Sequence, residues 1–386
     1  MRHKWLINSK EVPAKTVLVL LIHLFLTQPF LHGQSFQDFY QSQVNMQSAD
    51  SNKLFFDIHA SAFFDNHEYN GKFARGYTLT GSFIRPELSW QIGPKTRIRG
   101  GIYALKYSGR EKLEQLTPVF SIDHRFNEFF RLTIGQIQGS VNHHYAVPIY
   151  AFNRFFHDNL EEGLQFKLDT DHFDSDIFLN WRDFIVPLDT FPEQFDVGFT
   201  GSFCVNPDAR IFQVSFPWQL LATHQGGQID NSGKPVQTFV NSAGGLQMKF
   251  LANNPLLKSF GLRVDLMGFH DFSPKSQARF SKGRAFYPKL FIDYSYFYFE
   301  GAYWRANRFL APRGNPLYQS VGFEGDTFDE RELWVFRLLY NRKLSRGIIL
   351  NAGFRGYYDP RFNDFEHVAG LHLVVNERIF ITGVND

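Results

Sequence analysis

Apolar and polar residues alternate one for one along most of the chain after about residue 54, the period of a strand with one apolar face. Over 54–64, Phe56, Ile58, Ala60, Ala62 and Phe64 share a face opposite Asp57, His59 and Ser61. Over 84–92, Ile84, Pro86, Leu88, Trp90 and Ile92 oppose Arg85, Glu87, Ser89 and Gln91. After the turn GPKT (93–96), Ile98, Gly100, Ile102 and Ala104 oppose Arg97, Arg99, Gly101 and Tyr103. The same pattern recurs at 195–205, at 212–220 after the turn NPDA, and at 348–355.

Short connections alternate with long ones. The short set falls near 93–96, 127–128, 171–173, 206–209, 252–258, 294–296 and 343–346. The long set falls near 65–76, 108–116, 140–161, 186–194, 223–237, 272–284, 307–330 and 359–364. Eight long loops and seven short turns predict 16 strands with both ends on the short-turn side. That is the plan of an outer-membrane barrel, with short periplasmic turns and longer external loops. The weakest join is Asp293 to Phe297, where DYSYFYF has no good turn residue; without it the count falls to 14. Pro86 and Pro288 fall inside predicted strands, where each withholds a ladder N–H. Trp90, Trp181, Trp218, Trp304 and Trp334 lie near the ends of runs, the level where indoles favour a membrane interface.

Composition agrees with this reading. The 386 residues include 45 Phe and 17% aromatics, yet mean hydropathy is negative, as expected for strands apolar on one side only. No run of 18 or more apolar residues follows Gly33, so any membrane-spanning part must be a closed barrel, in which every backbone polar group is paired. Lys10 and Lys15 precede the apolar run VLVLLIHLFL (17–26), the order of a signal peptide, with cleavage expected after Gly33. The expected organisation is a signal peptide over 1–33, a short N-terminal periplasmic segment over 34–51 and an outer-membrane barrel over 52–382. Cys204 is the single cysteine, so no intrachain disulfide forms. A net charge of +2 gives no reason to expect a nucleic-acid partner.

The stretch GLQFKLDTDHFDSDIFLNWRDFIVP (163–187), with the strand LTIGQIQG before it, resembles porin-like outer-membrane β-barrels of Gram-negative bacteria, of the Bacteroidota type. The resemblance covers nearly all of the chain after the leader and rests on strand wording rather than a catalytic motif. It implies an antiparallel up-and-down barrel, insertion by the barrel assembly machinery, and passive passage of solutes. One departure is the end, FITGVND, where such barrels often finish on an aromatic residue; here Phe380 is the last.

Three groups of residues could carry function. Asp169, Asp171, Asp174 and Asp176 crowd together like a calcium loop, but an EF-hand started at Asp169 would place Asp174 where Gly is required and Asn180 where Glu is required. A wet hairpin turn is the preferred reading, with weak surface binding of a divalent ion as the alternative. Second, Arg85, Glu87, Arg97, Arg99, Arg131, Asp176, Arg182, Asp196, Arg263, Asp265, Arg337 and Arg355 fall on the faces opposite the apolar ones. An arginine facing lipid at the midplane costs about 2–4 kcal/mol, so these residues are expected to line the lumen, either setting ion preference or merely solvating the wall. Third, the loop SVNHHYAVPIYAFNRFFHDNLEE (140–162) is long and aromatic, with His143, His144, Tyr145, Asn153, Arg154 and His157 as its chemistry. It is expected to fold inward, either as a constriction whose rings stack on sugars or as a cap packed against other loops. The loop 307–330 adds Arg308, Arg313, Tyr318 and Glu324 near the external mouth.

Neither G-x-S-x-G, H-E-x-x-H, Walker nor G-x-G-x-x-G occurs, so no enzyme, metal or cofactor is expected. The leading expectation is a porin-like channel for small hydrophilic solutes in the outer membrane, in contact with its lipids. The alternatives are a non-channel barrel acting as an anchor or subunit of a complex, and, third, an outer-membrane lipid hydrolase.

Overall fold

The computed structural model describes residues 40, 46–227 and 229–383; the expected signal peptide lies outside the described residues. The described residues form sixteen antiparallel strands closed into one barrel, each paired with its neighbours in sequence and β1 with β16. The first eight are β1 (Lys53–Glu68), β2 (Tyr77–Ile92), β3 (Thr96–Tyr107), β4 (Gln115–Arg125), β5 (Phe130–Gln136), β6 (Glu162–Asp169), β7 (Phe173–Asp183) and β8 (Gln194–Cys204). The second eight are β9 (Phe212–Gln225), β10 (Gln237–Leu251), β11 (Leu257–Asp271), β12 (Lys282–Tyr294), β13 (Phe297–Asn307), β14 (Glu330–Ser345), β15 (Ile348–Asp359) and β16 (Asp364–Gly383). Closure runs from Lys53↔Gly383 to Glu68↔His367 and leaves no open sheet edge.

The alternation read from the sequence decides which side faces where. Leu88, Phe120, Leu266, Leu290 and Phe336 are exposed on the outer wall, where lipid replaces water. Arg85, Glu87, Arg97, Asp123 and Asp265 are buried on the inner wall. The doubtful join exists: Tyr294 pairs with Phe297 across a two-residue turn, and Ser295 takes the left-handed φ of 55° that the tight reversal needs. Pro86 and Pro288 are accommodated by gaps in the ladder. The β2–β3 pairing skips from Ile84↔Ala104 to Glu87↔Gly101, and β12–β13 skips from Phe286↔Arg305 to Lys289↔Ala302.

The core lies inside the barrel. Ile137, Tyr145, Ile149 and Tyr150, all on the connection between β5 and β6, pack with Tyr287 and Trp304 of the wall and with Phe309, Leu317 and Tyr318 of the β13–β14 connection. A second cluster joins Phe155 and Phe156 to Phe63, Phe83 and Tyr103, and includes Tyr40. Two of the external loops thus fold inward and occupy the lumen, and Tyr40 lies among them.

Candidate functional site

Inner-wall charges pair with one another. Asp123 accepts from Arg97 at 3.1 Å and Arg99 at 3.0 Å, and from the Thr133 hydroxyl at 2.8 Å. Glu87 lies 3.2 Å from Arg85 and 3.5 Å from Arg99. Across the barrel, Asp265 takes Arg263 at 2.9 Å and Lys289 at 2.8 Å, and Arg337 pairs with Glu300 at 3.3 Å. Arg182 lies 3.3 Å from Asp196, and Arg131 is half-buried on the same inner face. Side chains this deeply buried are tolerated where, as in these ion pairs, an opposite charge answers at short range.

The inserted loop is tied down by His143. The short helical turn Ser140–His143 opens the loop, and one further turn spans Arg154–His157. His143 is fully buried; its Nε2 lies 2.9 Å from Glu161 and its Nδ1 3.0 Å from Asp176 of β7. Burial alone would lower its pKa, but the two carboxylates outweigh that and hold it at about 9. The imidazole is therefore a charged pin between the loop and the wall. Glu161 also accepts from the Ser140 N–H at 2.7 Å and the Tyr150 hydroxyl at 2.7 Å.

The rest of the loop divides between wall, lumen and partner loop. His144 is exposed at a left-handed φ of 58° and, with Tyr145, lines a cavity of about 220 Å³ bounded by β10–β14, its wall carrying Lys249, Arg263, Lys289, Glu300 and Arg337. Tyr145 donates to the Leu220 carbonyl at 2.8 Å, and Asn153 donates to the Tyr77 hydroxyl at 2.6 Å. Arg154 reaches Asp158 at 2.6 Å and the Arg313 carbonyl at 3.1 Å, while His157 is exposed. Arg308 is exposed and bonds Asp329, whereas Arg313 and Tyr318 are buried inside.

A second system centres on Asp65, near the external end of β1. Its Oδ1 lies 3.0 Å from His372 Nε2 of β16, and His372 Nδ1 lies 2.7 Å from the Tyr40 hydroxyl. Its Oδ2 lies 3.6 Å from His67 Nε2, and His67 Nδ1 lies 3.0 Å from the Tyr69 hydroxyl. One carboxylate thus bonds the His372 imidazole and lies beside that of His67, each imidazole having a phenol on its far nitrogen. The order carboxylate, imidazole, hydroxyl is that of an acid–imidazole–hydroxyl relay, hydrogen-bonded throughout in the His372 arm and with a 3.6 Å gap in the His67 arm. His67 is further fixed by stacking on Tyr77, centroids 4.2 Å apart. His67 and Tyr69 line a small cavity of about 40 Å³ beside Asn153.

Sequence reasoning singled out His143 and Asp176 separately and missed Asp65, His67, His372, Glu161 and Asp123. A signal was present: His59, Asp65 and His67 all sit on odd positions of β1, the parity that turns inward. His372 shares the inward parity of β16, with Glu366 and Val374.

In overall form the chain is similar to an OmpT of Vibrio cholerae with loop L8 deleted, an outer-membrane protein (TM-score 0.51, 9% identity, 84% of this chain and 100% of that chain covered). It is likewise similar to the outer-membrane protein OprD of Pseudomonas aeruginosa (TM-score 0.51, 8% identity, 88% and 98% covered). At such identities the likeness shows a shared barrel fold. No curated protein matches the sequence. A family model described as lipid A 3'-O-deacylase-type matches residues 46–384, essentially the whole barrel. The barrel belongs in the outer membrane of a Gram-negative bacterium. The family match also corrects the expectation that the chain is no enzyme. That expectation leaned on missing short motifs, and a site gathered from distant strands of a barrel needs no such motif. The chain belongs to the lipid A 3'-O-deacylase-type family.

Proposed function

We propose that this barrel hydrolyses an acyl ester of an outer-leaflet lipid, with the 3'-O-acyl chain of lipid A, named in the family description, as its substrate. The observation that carries the reading is the occupied lumen. Loop side chains from Ile137 to Phe156 fill the space that a diffusion channel would leave to water, and they order two histidine–carboxylate systems there. Buried, oriented titratable groups of this kind mark sites of chemistry more often than generic wall. His67 is assigned as general base, because the Asp65 carboxylate lies 3.6 Å from its Nε2 and it lines a cavity at the end of β1. In that role Nδ1 takes a proton from water, relayed by the Tyr69 hydroxyl 3.0 Å away, as the water oxygen attacks the ester carbonyl. The proton then passes to the departing alkoxide, leaving an alcohol and a carboxylic acid, which gives up its own proton to solvent. His143 serves as the pin that holds the loop forming this cavity.

The test is release of fatty acid from lipid A in mixed micelles, followed by mass spectrometry, for the wild type and for His67→Gln and Asp65→Asn. Wild-type protein that is folded and inserted yet releases no acyl chain would end the proposal.

A second reading, passage of small solutes, draws on the two cavities, which share Val147, Arg337 and Leu339 along one seam of the lumen. Steady single-channel conductance from wild-type protein in planar bilayers, without acyl release, would favour it.

A further inference from the structure

Arg337 of β14 and Arg355 of β15 are direct register partners on the inner wall. Like charges placed opposite each other across two strands repel, so the pair requires anionic compensation. Glu300 supplies it for Arg337, at 3.3 Å, and is itself held by the Tyr298 hydroxyl at 3.0 Å. Arg355 has no such partner. Its guanidinium lies over the Phe152 ring, 4.4 Å from the centroid, and among the described residues no carboxylate forms an ion pair with it. Asp65 is within electrostatic reach, but its two oxygens face His372 and His67. Arg355 is only 9% exposed, and it lines the cavity of about 40 Å³ together with Arg337, Asn315 and Tyr357.

We propose that this cavity binds one small monovalent anion of the halide class, held between Arg355 and Arg337 with N–H and O–H donors from Asn315 and Tyr357. A water needs about 10–15 Å³ of such space, so the cavity of about 40 Å³ takes a monatomic anion with one or two waters. The anion answers the one buried arginine that has no carboxylate partner among the described residues, and screens it from Arg337. The anion shares its cavity with the hydrolase reading, since His67 and Tyr69 line it too, but its binding depends on neither His67 acting as a base nor the ester.

Bromide, which scatters anomalously, is the probe. Crystals of the full barrel soaked in sodium bromide should show an anomalous peak within hydrogen-bond distance of the Arg355 guanidinium. Wild-type protein should also melt higher in sodium chloride than in sodium gluconate at equal ionic strength, and Arg355→Gln should abolish that difference. Arg337→Met gives an independent variant with the same expected loss. Absence of a bromide peak overturns the site. So does a chloride effect that survives in both variants, and so does a crystal peak with equal melting in chloride and gluconate, which would be binding at crystal concentration only.

Discussion

Arg313, from the connection between β13 and β14, reaches into the lumen and places its Nε 3.0 Å from Oδ2 of Asp196 on β8, both side chains being almost fully buried. The same guanidinium bonds Asp158 at 3.0 Å and the Tyr150 hydroxyl at 3.2 Å, so one residue joins both inserted loops to the wall. Backbone bonds reinforce the joint, from Ala151 N–H to the Arg313 carbonyl at 2.8 Å and from Asn315 N–H to the Val147 carbonyl at 3.1 Å. Removing one partner of a buried ion pair leaves the other charge unanswered, which costs about 3–5 kcal/mol. Arg313→Met should therefore lower the thermal midpoint and expose the segment around Phe152 to limited proteolysis. Unchanged cleavage and melting would mean that the joint does not hold the loops.

The His143 pin makes the inserted loop sensitive to alkaline pH. Its folded-state pKa of about 9 stands above the ordinary 6.5, so the stabilisation is complete below 6.5 and is lost as pH rises through about 9. A shift of that size corresponds to about 3 kcal/mol. Glu161, whose pKa is raised by burial but lowered further by His143, keeps its charge in that window. Hydrogen exchange of the loop amides, corrected for intrinsic rates, should accelerate between pH 7 and 10 in the wild type. In His143→Gln it should already be fast at pH 7 and show no further step.

The two faces of a strand should respond oppositely to the same change. Leu266 is 63% exposed on the outer wall of β11, near mid-strand, while Asp265 beside it is buried inward between Arg263 and Lys289. Leu266→Arg should destabilise the barrel in lipid vesicles by about 2–4 kcal/mol in denaturant titration, as for an arginine placed near the bilayer midplane. An effect below about 1 kcal/mol would place that position away from the hydrocarbon.

Strand number, loop order and most inward or outward senses were legible because alternation is local: residues 98 to 104 reveal their faces without reference to any other strand, whereas Trp304, read as an interface indole, turns inward onto Tyr287 and Tyr318. Even the turn at Ser295, which lacks a favourable residue, fits the count of long and short connections. The interior was not legible for the converse reason. Asp65 and His372 are 307 positions apart and meet only because β1 closes on β16. Glu161 reads as the end of a loop until that loop folds inward and brings it to His143. Arg313 reads as a mouth residue, but it is drawn into the lumen by Asp196 on a distant strand. No short motif encodes such pairings, and the absence of short motifs was all that the expectation of a non-enzyme rested on.

The sharpest chemical prediction concerns Asp65. If His67 is the general base, removing it should reduce acyl release by about 10²–10⁴-fold. Asp65→Asn should act through the imidazole: an amide would favour the wrong tautomer of His67, and an analogous change in a serine-protease triad lowers turnover about 10⁴-fold with geometry intact. The loss should therefore fall on kcat rather than KM, and the barrel should still insert and migrate as folded protein. His372→Gln separates the two arms of the fork. His372 is held by Tyr40 within the aromatic cluster of Phe152, Phe155 and Phe156 rather than at the cavity. Its loss should lower stability more than turnover. If instead His372→Gln abolishes acyl release while His67→Gln preserves it, the base has been assigned to the wrong imidazole.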